Sequence, residues 1–238
     1  MAITSIGLDA DDTLWHSENH FTVTEERFRQ LLEPWLPADQ IASKLLEREH
    51  DNLRIFGYGI KGFTLSMVET AIEVSGGAID AATINQIIGW GKEMLSHPVE
   101  LLPGVGDTIE TLRSANYRLV LITKGDLFHQ ESKIAESGLA DHFDGIEILS
   151  EKSPAIYRRV LHRYDIEPSD FVMVGNSVRS DILPVLELGG HGVHIPYTVT
   201  WAHEHVEPDA SHAFPVLESI SQLPDAVLEL SPRPAGQE

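Results

Sequence analysis

Residues 3–15 read Ile-Thr-Ser-Ile-Gly-Leu-Asp-Ala-Asp-Asp-Thr-Leu-Trp. An apolar, strand-like run ends in three carboxylates within four positions, Asp9, Asp11 and Asp12, followed at once by Thr13 and Leu14. Negative charges this close repel, and each would be costly to bury unpaired. A hard divalent cation that prefers oxygen ligands would offset them, and Mg2+ is the first choice. A solvated acidic turn after an edge strand is the plainer reading of an Asp-x-Asp pair met in isolation. Placement at the end of the first strand favours the cation, because open α/β sheets bind ligands at the carboxyl ends of their strands.

Outward from this stretch, Ser17 to about His97 reads as helices. Phe21, Phe28, Leu31 and Leu32 recur at helical spacing until Pro34 and Pro37 close the run. A second helix is expected over Pro37–Phe56, with Ile41, Leu45, Leu46 and Leu53 near one face, broken by the glycine-rich loop from Gly57 to Gly62. Two more, Phe63–Ser75 and Ala81–Leu95, are separated by Gly76-Gly77 and end near His97-Pro98. From Leu101 the pattern alternates. A helix is expected after Pro103-Gly104, then strands at Arg118–Thr123, Gly145–Leu149, Phe171–Val174 and Gly192–Ile195, with helices at Phe128–Ser137, Ser153–Tyr164 and Ser180–Leu188. Such alternation implies a parallel sheet covered by helices. The expected fold class is α/β: a Rossmann-like parallel-sheet core over residues 1–16 and 98–230, an inserted α-helical segment over 17–97, and a frayed tail over 231–238.

The 238 residues include 17 basic and 37 acidic side chains, for a formal net charge of −20. That balance opposes non-specific binding to nucleic acid or to anionic membranes, so neither is expected as a partner, and an anionic substrate would need a local positive site. With no cysteine, disulfides, thiolate chemistry and cysteine zinc sites are excluded. The N-terminus lacks the sections of a signal peptide and no apolar run is long enough to span a bilayer, so a cytoplasmic location is expected. Oligomeric state is not legible.

Three further stretches carry chemistry. The strand Leu119-Val120-Leu121-Ile122 ends in Thr123-Lys124-Gly125-Asp126, where a hydroxyl beside a glycine can donate to a phosphate oxygen while backbone N–H groups approach it. A threonine here can also be an ordinary cap. Lys152, in Ser150-Glu151-Lys152-Ser153-Pro154, precedes a helix for which Ser153 and Pro154 supply N-cap and N1 residues. By itself it reads as a solvated lysine. The strand Phe171-Val172-Met173-Val174 runs into Gly175-Asn176-Ser177-Val178-Arg179-Ser180-Asp181, and Asp181 could simply favour the first turn of a helix capped by Ser180.

The four stretches in this order resemble the motifs of the haloacid dehalogenase-like hydrolase superfamily, phosphatase type with a helical cap. The resemblance implies that Asp9 is a nucleophile and Asp11 a general acid/base, with the Asp11 backbone carbonyl on Mg2+. It implies phosphate binding at Thr123, with Lys124 and Gly125 beside it, and a Lys152 that neutralises the nucleophile and the phosphoryl oxygens. It places Mg2+ among Asp9, Asp11, Asn176 and Asp181. Two departures stand out: Lys-Pro becomes Lys-Ser-Pro, and the family's first aspartate of the last motif is Asn176. An amide oxygen can still ligate Mg2+, with one negative charge fewer. Residues 17–97 fall where the family inserts its helical cap, and Lys61 and Arg54 there are either substrate contacts or exposed basic residues.

The activity so implied is Mg2+-dependent hydrolysis of a small phosphorylated metabolite through an aspartyl-phosphate, with cap closure excluding water. Alternatives on the same fold are a 2-haloacid dehalogenase, which needs neither Asp11 nor Mg2+, and a phosphonate hydrolase, which would need Lys61 or Lys44 as a Schiff-base lysine. A non-catalytic binding protein that has kept the fold is the alternative of another class. His203 and His205, two apart in Trp201-Ala202-His203-Glu204-His205, form no recognisable metal signature and read as surface loop residues at the site entrance.

Overall fold

The computed structural model describes residues 2–198 and 213–231. His203, His205 and the tail after Ser231 lie outside the described residues. The chain divides into two compact units, one of residues 1–18, 99–124 and 132–238, the other of residues 19–98 and 125–131.

The first unit is built on a five-stranded, wholly parallel sheet: β1 (Ser5–Leu8), β2 (Arg118–Lys124), β3 (Gly145–Leu149), β4 (Phe171–Gly175) and β5 (His191–His194), in the order β3-β2-β1-β4-β5. The central strand pairs Leu8 with Leu121 on one side and with Val174 on the other. Parallel strands are covered on both faces, and their residues divide by parity. Ile6, Leu8, Leu119, Leu121, Val172 and Val174 enter one core, packed by helices α5 (Val105–Ser114) and α9 (Leu223–Leu230). Val120, Ile122, Phe171 and Met173 enter the other, under α7 (Pro154–Arg163). Gly7 belongs on the second face: a Cβ there would lie 2.5 Å from the Phe171 ring and 2.8 Å from the Met173 sulfur, so the missing side chain makes room for both.

The second unit holds α1 (Glu18–Leu32) almost entirely, α2 (Ala38–Phe56), α3 (Ile60–Val74) and α4 (Ala81–Leu95). Its core is Phe28, Leu32, Ile41, Leu45, Phe63, Met67, Ile87 and Trp90, the positions that carry the helical periodicity. Gly91 lets α3 and α4 approach, since a Cβ would sit 2.2 Å from the Thr64 hydroxyl. Residues 125–131 join this unit although they follow β2, so helix α6 (Leu127–Glu136) begins in one unit and ends in the other. Within it, Asp126 pairs with Lys61 at 2.9 Å, and Lys61 lies over the Phe128 ring. Lys44 pairs with Glu73 at 2.5 Å.

The expected helix Ser180–Leu188 differs in kind. A π-helical turn over Val178–Ile182 leads into a short α8 (Leu183–Leu186). Pro184 explains the change: with no N–H it cannot donate to the Ser180 carbonyl, which accepts the Tyr157 hydroxyl at 3.1 Å instead. No helix among the described residues is long and apolar enough to cross a membrane.

Candidate active site

At the carboxyl edge of the sheet the Asp9 N–H donates to the Val174 carbonyl at 2.9 Å, and then the chain leaves strand geometry. Ala10 turns it: the N–H groups of Thr13 and Leu14 both donate to the Ala10 carbonyl, and Asp12 takes φ of 61°, a left-handed conformation that aspartate tolerates better than most residues. In a continued strand, Asp9 and Asp11 would face the same way and Ala10 the other. The turn separates the jobs of the three carboxylates. Asp12 is not part of a cation cluster: its carboxylate accepts the N–H groups of Ser17 at 2.8 Å and Glu18 at 3.0 Å, capping the chain as it enters α1. Burial pushes the Asp12 carboxyl up to about 7 against those hydrogen bonds.

Asp9 is buried at the centre. Its Oδ1 accepts the Lys152 ammonium at 2.5 Å, and its Oδ2 accepts the Thr13 hydroxyl at 3.2 Å. Lys152, with only 2% of its side chain exposed, also donates to Asp181 Oδ1 at 2.6 Å. The second Asp181 oxygen accepts the Ser177 N–H at 3.0 Å. Gly175 is required by this packing, because a Cβ would fall 2.1 Å from Asp181 Oδ2. Far from being solvated, Lys152 is the shared cation of two buried carboxylates. Burial opposes its charge, yet Asp181 and Asp9 outweigh burial and hold the ammonium well above the usual lysine range. One ammonium between two carboxylates leaves a negative charge uncompensated. Burial, helped by Asp181, accordingly pushes the Asp9 carboxyl up to about 7 in spite of Lys152.

Asn176 closes the site from β4. Its N–H donates to the Thr13 hydroxyl oxygen at 3.1 Å, and its carbonyl accepts His194 Nε2 at 3.0 Å, which puts the imidazole proton on that nitrogen. Burial lowers the His194 pKa and keeps the ring a neutral donor. The inward atom of the Asn176 amide is 3.3 Å from both the Asp11 carbonyl oxygen and Asp9 Oδ2. With nitrogen inward it donates to both. With oxygen inward, three oxygens face one another, a donor set suited to a hard divalent cation and to little else. Among the described residues no three His, Cys, Asp or Glu side chains could hold a metal. A cation here must therefore use the backbone carbonyl and the amide, and the residues present fit one.

Thr123 is buried near the end of β2, opposite Ile148 of β3. Lys124 donates to the Ser180 hydroxyl at 3.2 Å. Gly125 has φ of 153°, and a Cβ on it would press on the Gln130 amide at 2.8 Å; it belongs to the helical unit. Sequence reasoning passed over Thr13, which orients both Asp9 and Asn176, and Trp15 and Lys133, which donate to Asp11 Oδ1 at 2.7 and 2.5 Å. The spacings Asp9/Thr13 and Asp11/Trp15 were visible, but only the turn at Ala10 makes them neighbours.

The family model described as haloacid dehalogenase-like hydrolase matches residues 3–189. A haloacid dehalogenase-like family hydrolase from Xanthomonas campestris, known from a crystal structure, is 44% identical, with a TM-score of 0.85 over 97% of this chain and 92% of that one. A phosphoglycolate phosphatase of Vibrio vulnificus is 30% identical over 142 residues, 56% of this chain and 58% of its own. A glyceraldehyde 3-phosphate phosphatase of Methanothermobacter thermautotrophicus is 32% identical over 127 residues, 51% and 56% of the two chains. The match thus spans somewhat over half the length of these curated relatives. The family match covers β1 to β4 and all four site stretches, and the chain belongs to the haloacid dehalogenase-like hydrolases.

Proposed function

We propose that the protein is a Mg2+-dependent phosphatase that hydrolyses a small phosphate monoester through an aspartyl-phosphate on Asp9. The observation that carries the reading is the buried Lys152 between Asp9 and Asp181, beside the oxygens of Asp11 and Asn176. It supplies an anchored carboxylate nucleophile and a local positive charge in a chain whose formal charge is −20. Both curated relatives are named as phosphatases of small phosphorylated compounds, which supports the substrate class.

In this reading Asp9 attacks phosphorus, and Asp11 gives its proton to the leaving ester oxygen. Asp11 then takes a proton from the water that attacks the aspartyl-phosphate, and Asp9 is regenerated. Lys152 offsets charge on the transferring group, where most of the catalysis of phosphoryl transfer lies. Thr123 donates to a phosphoryl oxygen. Thr13 holds the second Asp9 oxygen at 3.2 Å, so Oδ1, beside Lys152, and Oδ2 are distinct. Asp9, the Asp11 carbonyl and Asn176 would hold Mg2+, which when bound neutralises phosphoryl oxygens and helps orient them. With both oxygens of Asp181 on protein donors, its part toward the metal is indirect, through Lys152 or a water. The helical unit is read as the cap. Lys61 and Lys44, each in an ion pair, do not have the apolar surroundings that activate a Schiff-base lysine, and this weighs against phosphonate hydrolysis.

A screen of phosphorylated metabolites and 2-haloacids, with Mg2+ and with EDTA, tests the proposal. Release of phosphate from at least one alkyl ester, abolished by EDTA, is expected. Halide release, or no turnover of any phosphate ester, would refute it.

A further inference from the structure

We infer that Lys133 is a positioning residue for Asp11, fixing which of the two Asp11 oxygens carries the proton during turnover. The inference rests on the phosphatase reading and adds a residue to it.

Two donors from separate elements meet on one oxygen. Trp15, four residues on across the Ala10 turn, brings its indole N–H to Asp11 Oδ1 at 2.7 Å. Lys133, on the last turns of α6, brings its ammonium to the same oxygen at 2.5 Å. The helix is anchored there by the next residue, Ile134, which is 4% exposed in the core beneath the sheet. The Lys133 side chain is itself only 12% exposed, so the ammonium is held in place instead of sweeping through solvent. Asp11 is 28% exposed, and an ion pair on a partly hydrated carboxylate adds little to stability. Its consequence is geometric.

A carboxylate oxygen has two lone pairs in its plane, and N–H donors take both of them on Oδ1. The proton that Asp11 moves is therefore carried on Oδ2. A carboxyl held from one side only could turn about its Cβ–Cγ bond and exchange its oxygens, whereas two fixed donors set the plane and remove that freedom. In the first half-reaction the Oδ2 proton passes to the ester oxygen as the P–O electron pair leaves with that oxygen. In the second, Oδ2 takes a proton from water as the water oxygen bonds to phosphorus and the Asp9–phosphorus electron pair returns to Asp9. Proton transfer of this kind contributes about 10²–10⁴-fold, and a misplaced carboxyl forfeits part of it.

The test compares Lys133→Met and Lys133→Arg on p-nitrophenyl phosphate and on the alkyl phosphate turned over fastest in the screen above. Lys133→Met should lower kcat on the alkyl ester by about tenfold or more, leave KM within about threefold, and slow the first-turnover release of p-nitrophenolate far less, since that leaving group departs without a proton. Lys133→Arg should restore most of the loss. In an Asp11→Asn background, Lys133→Met should add nothing. A second readout needs no turnover: in the metal-free protein the Trp15 indole N–H resonance, identified among four tryptophans by its absence in Trp15→Phe, should move in Lys133→Met and stay near its place in Lys133→Arg. A first-turnover release of p-nitrophenolate slowed as much as that of the alkyl alcohol, losses that add to those of Asp11→Asn, or an unmoved Trp15 resonance would overturn the inference while leaving the phosphatase reading intact. A wild-type protein that hydrolyses no phosphate ester would overturn the reading itself, before any variant is made.

Discussion

Lys152→Met should destabilise the folded protein more than any surface substitution, because it orphans two carboxylates at once. At separations of 2.5 and 2.6 Å and an effective dielectric of about 20, each ion pair has a gross Coulomb energy of roughly 6 kcal/mol. Much of that sum is offset by desolvation of the ammonium and the carboxylates, so the net penalty for removing one partner of a buried pair is about 3–5 kcal/mol. In a chain of this size about 1 kcal/mol moves the melting temperature by roughly 2–4 °C, so a fall of about 6–20 °C is expected. The assay is thermal unfolding in EDTA, for wild type, Lys152→Met, Asp181→Asn and the double variant. The penalty should grow as pH rises from about 4, the unperturbed Asp range. Carboxyls whose folded pKa is raised bind more protons when folded, and that advantage is lost as pH climbs through the folded pKa, already about 7 for Asp9 in wild type. Asp181→Asn should recover part of the loss in the Lys152→Met background. A shift below about 2 °C, or strictly additive effects of the two substitutions, would show that Lys152 does not bridge the carboxylates.

Asp9→Asn should abolish turnover of every ester, whereas Asp11→Asn should cost about 10²–10⁴-fold on alkyl phosphates and less in the first step on aryl ones, as steady-state and burst kinetics would show. Asn176→Asp should preserve or tighten Mg2+ binding and Asn176→Ala weaken it, measured by titration calorimetry, because a charged oxygen binds a hard cation better than a neutral one and a methyl group not at all. Burial, with the hydrogen bond to Glu147, pushes the Tyr164 hydroxyl up to about 12. The folded state therefore binds this proton more tightly than the unfolded chain, and the stability it contributes is complete below pH ~10 and lost as pH rises toward 12. Urea midpoints from neutral pH into this window should fall less steeply in Tyr164→Phe.

The strands of the sheet unit and the helices between them were legible because period-2 and period-3.6 patterns report which face of an element is buried, and that is decided locally, whereas α9 was not among the expected elements. Phe171 and Met173 against Val172 and Val174 show it: parity alone sorts them to opposite faces, and the structure keeps that division. Asp9 could be nominated from its own stretch, because three carboxylates end the first strand, whereas Lys152 and Asn176 were nominated only through the resemblance of the four stretches, in order, to the family's motifs. What no local pattern contains is the closing geometry. Asp12 sits in the same acidic stretch as Asp9 yet caps α1, since a left-handed residue after the Ala10 turn points it at Ser17 and Glu18. The pairing of Lys152 with Asp181 spans 29 residues, and that of Lys133 with Asp11 spans 122. Pro184 was plain in the sequence, but its effect, a π-helical turn whose orphaned carbonyl is met by Tyr157, needed a partner from another helix. Patterning determines which residues are buried and on which element; which buried polar groups satisfy one another is a property of the packed chain alone, because only there do the costs of leaving them unpaired arise.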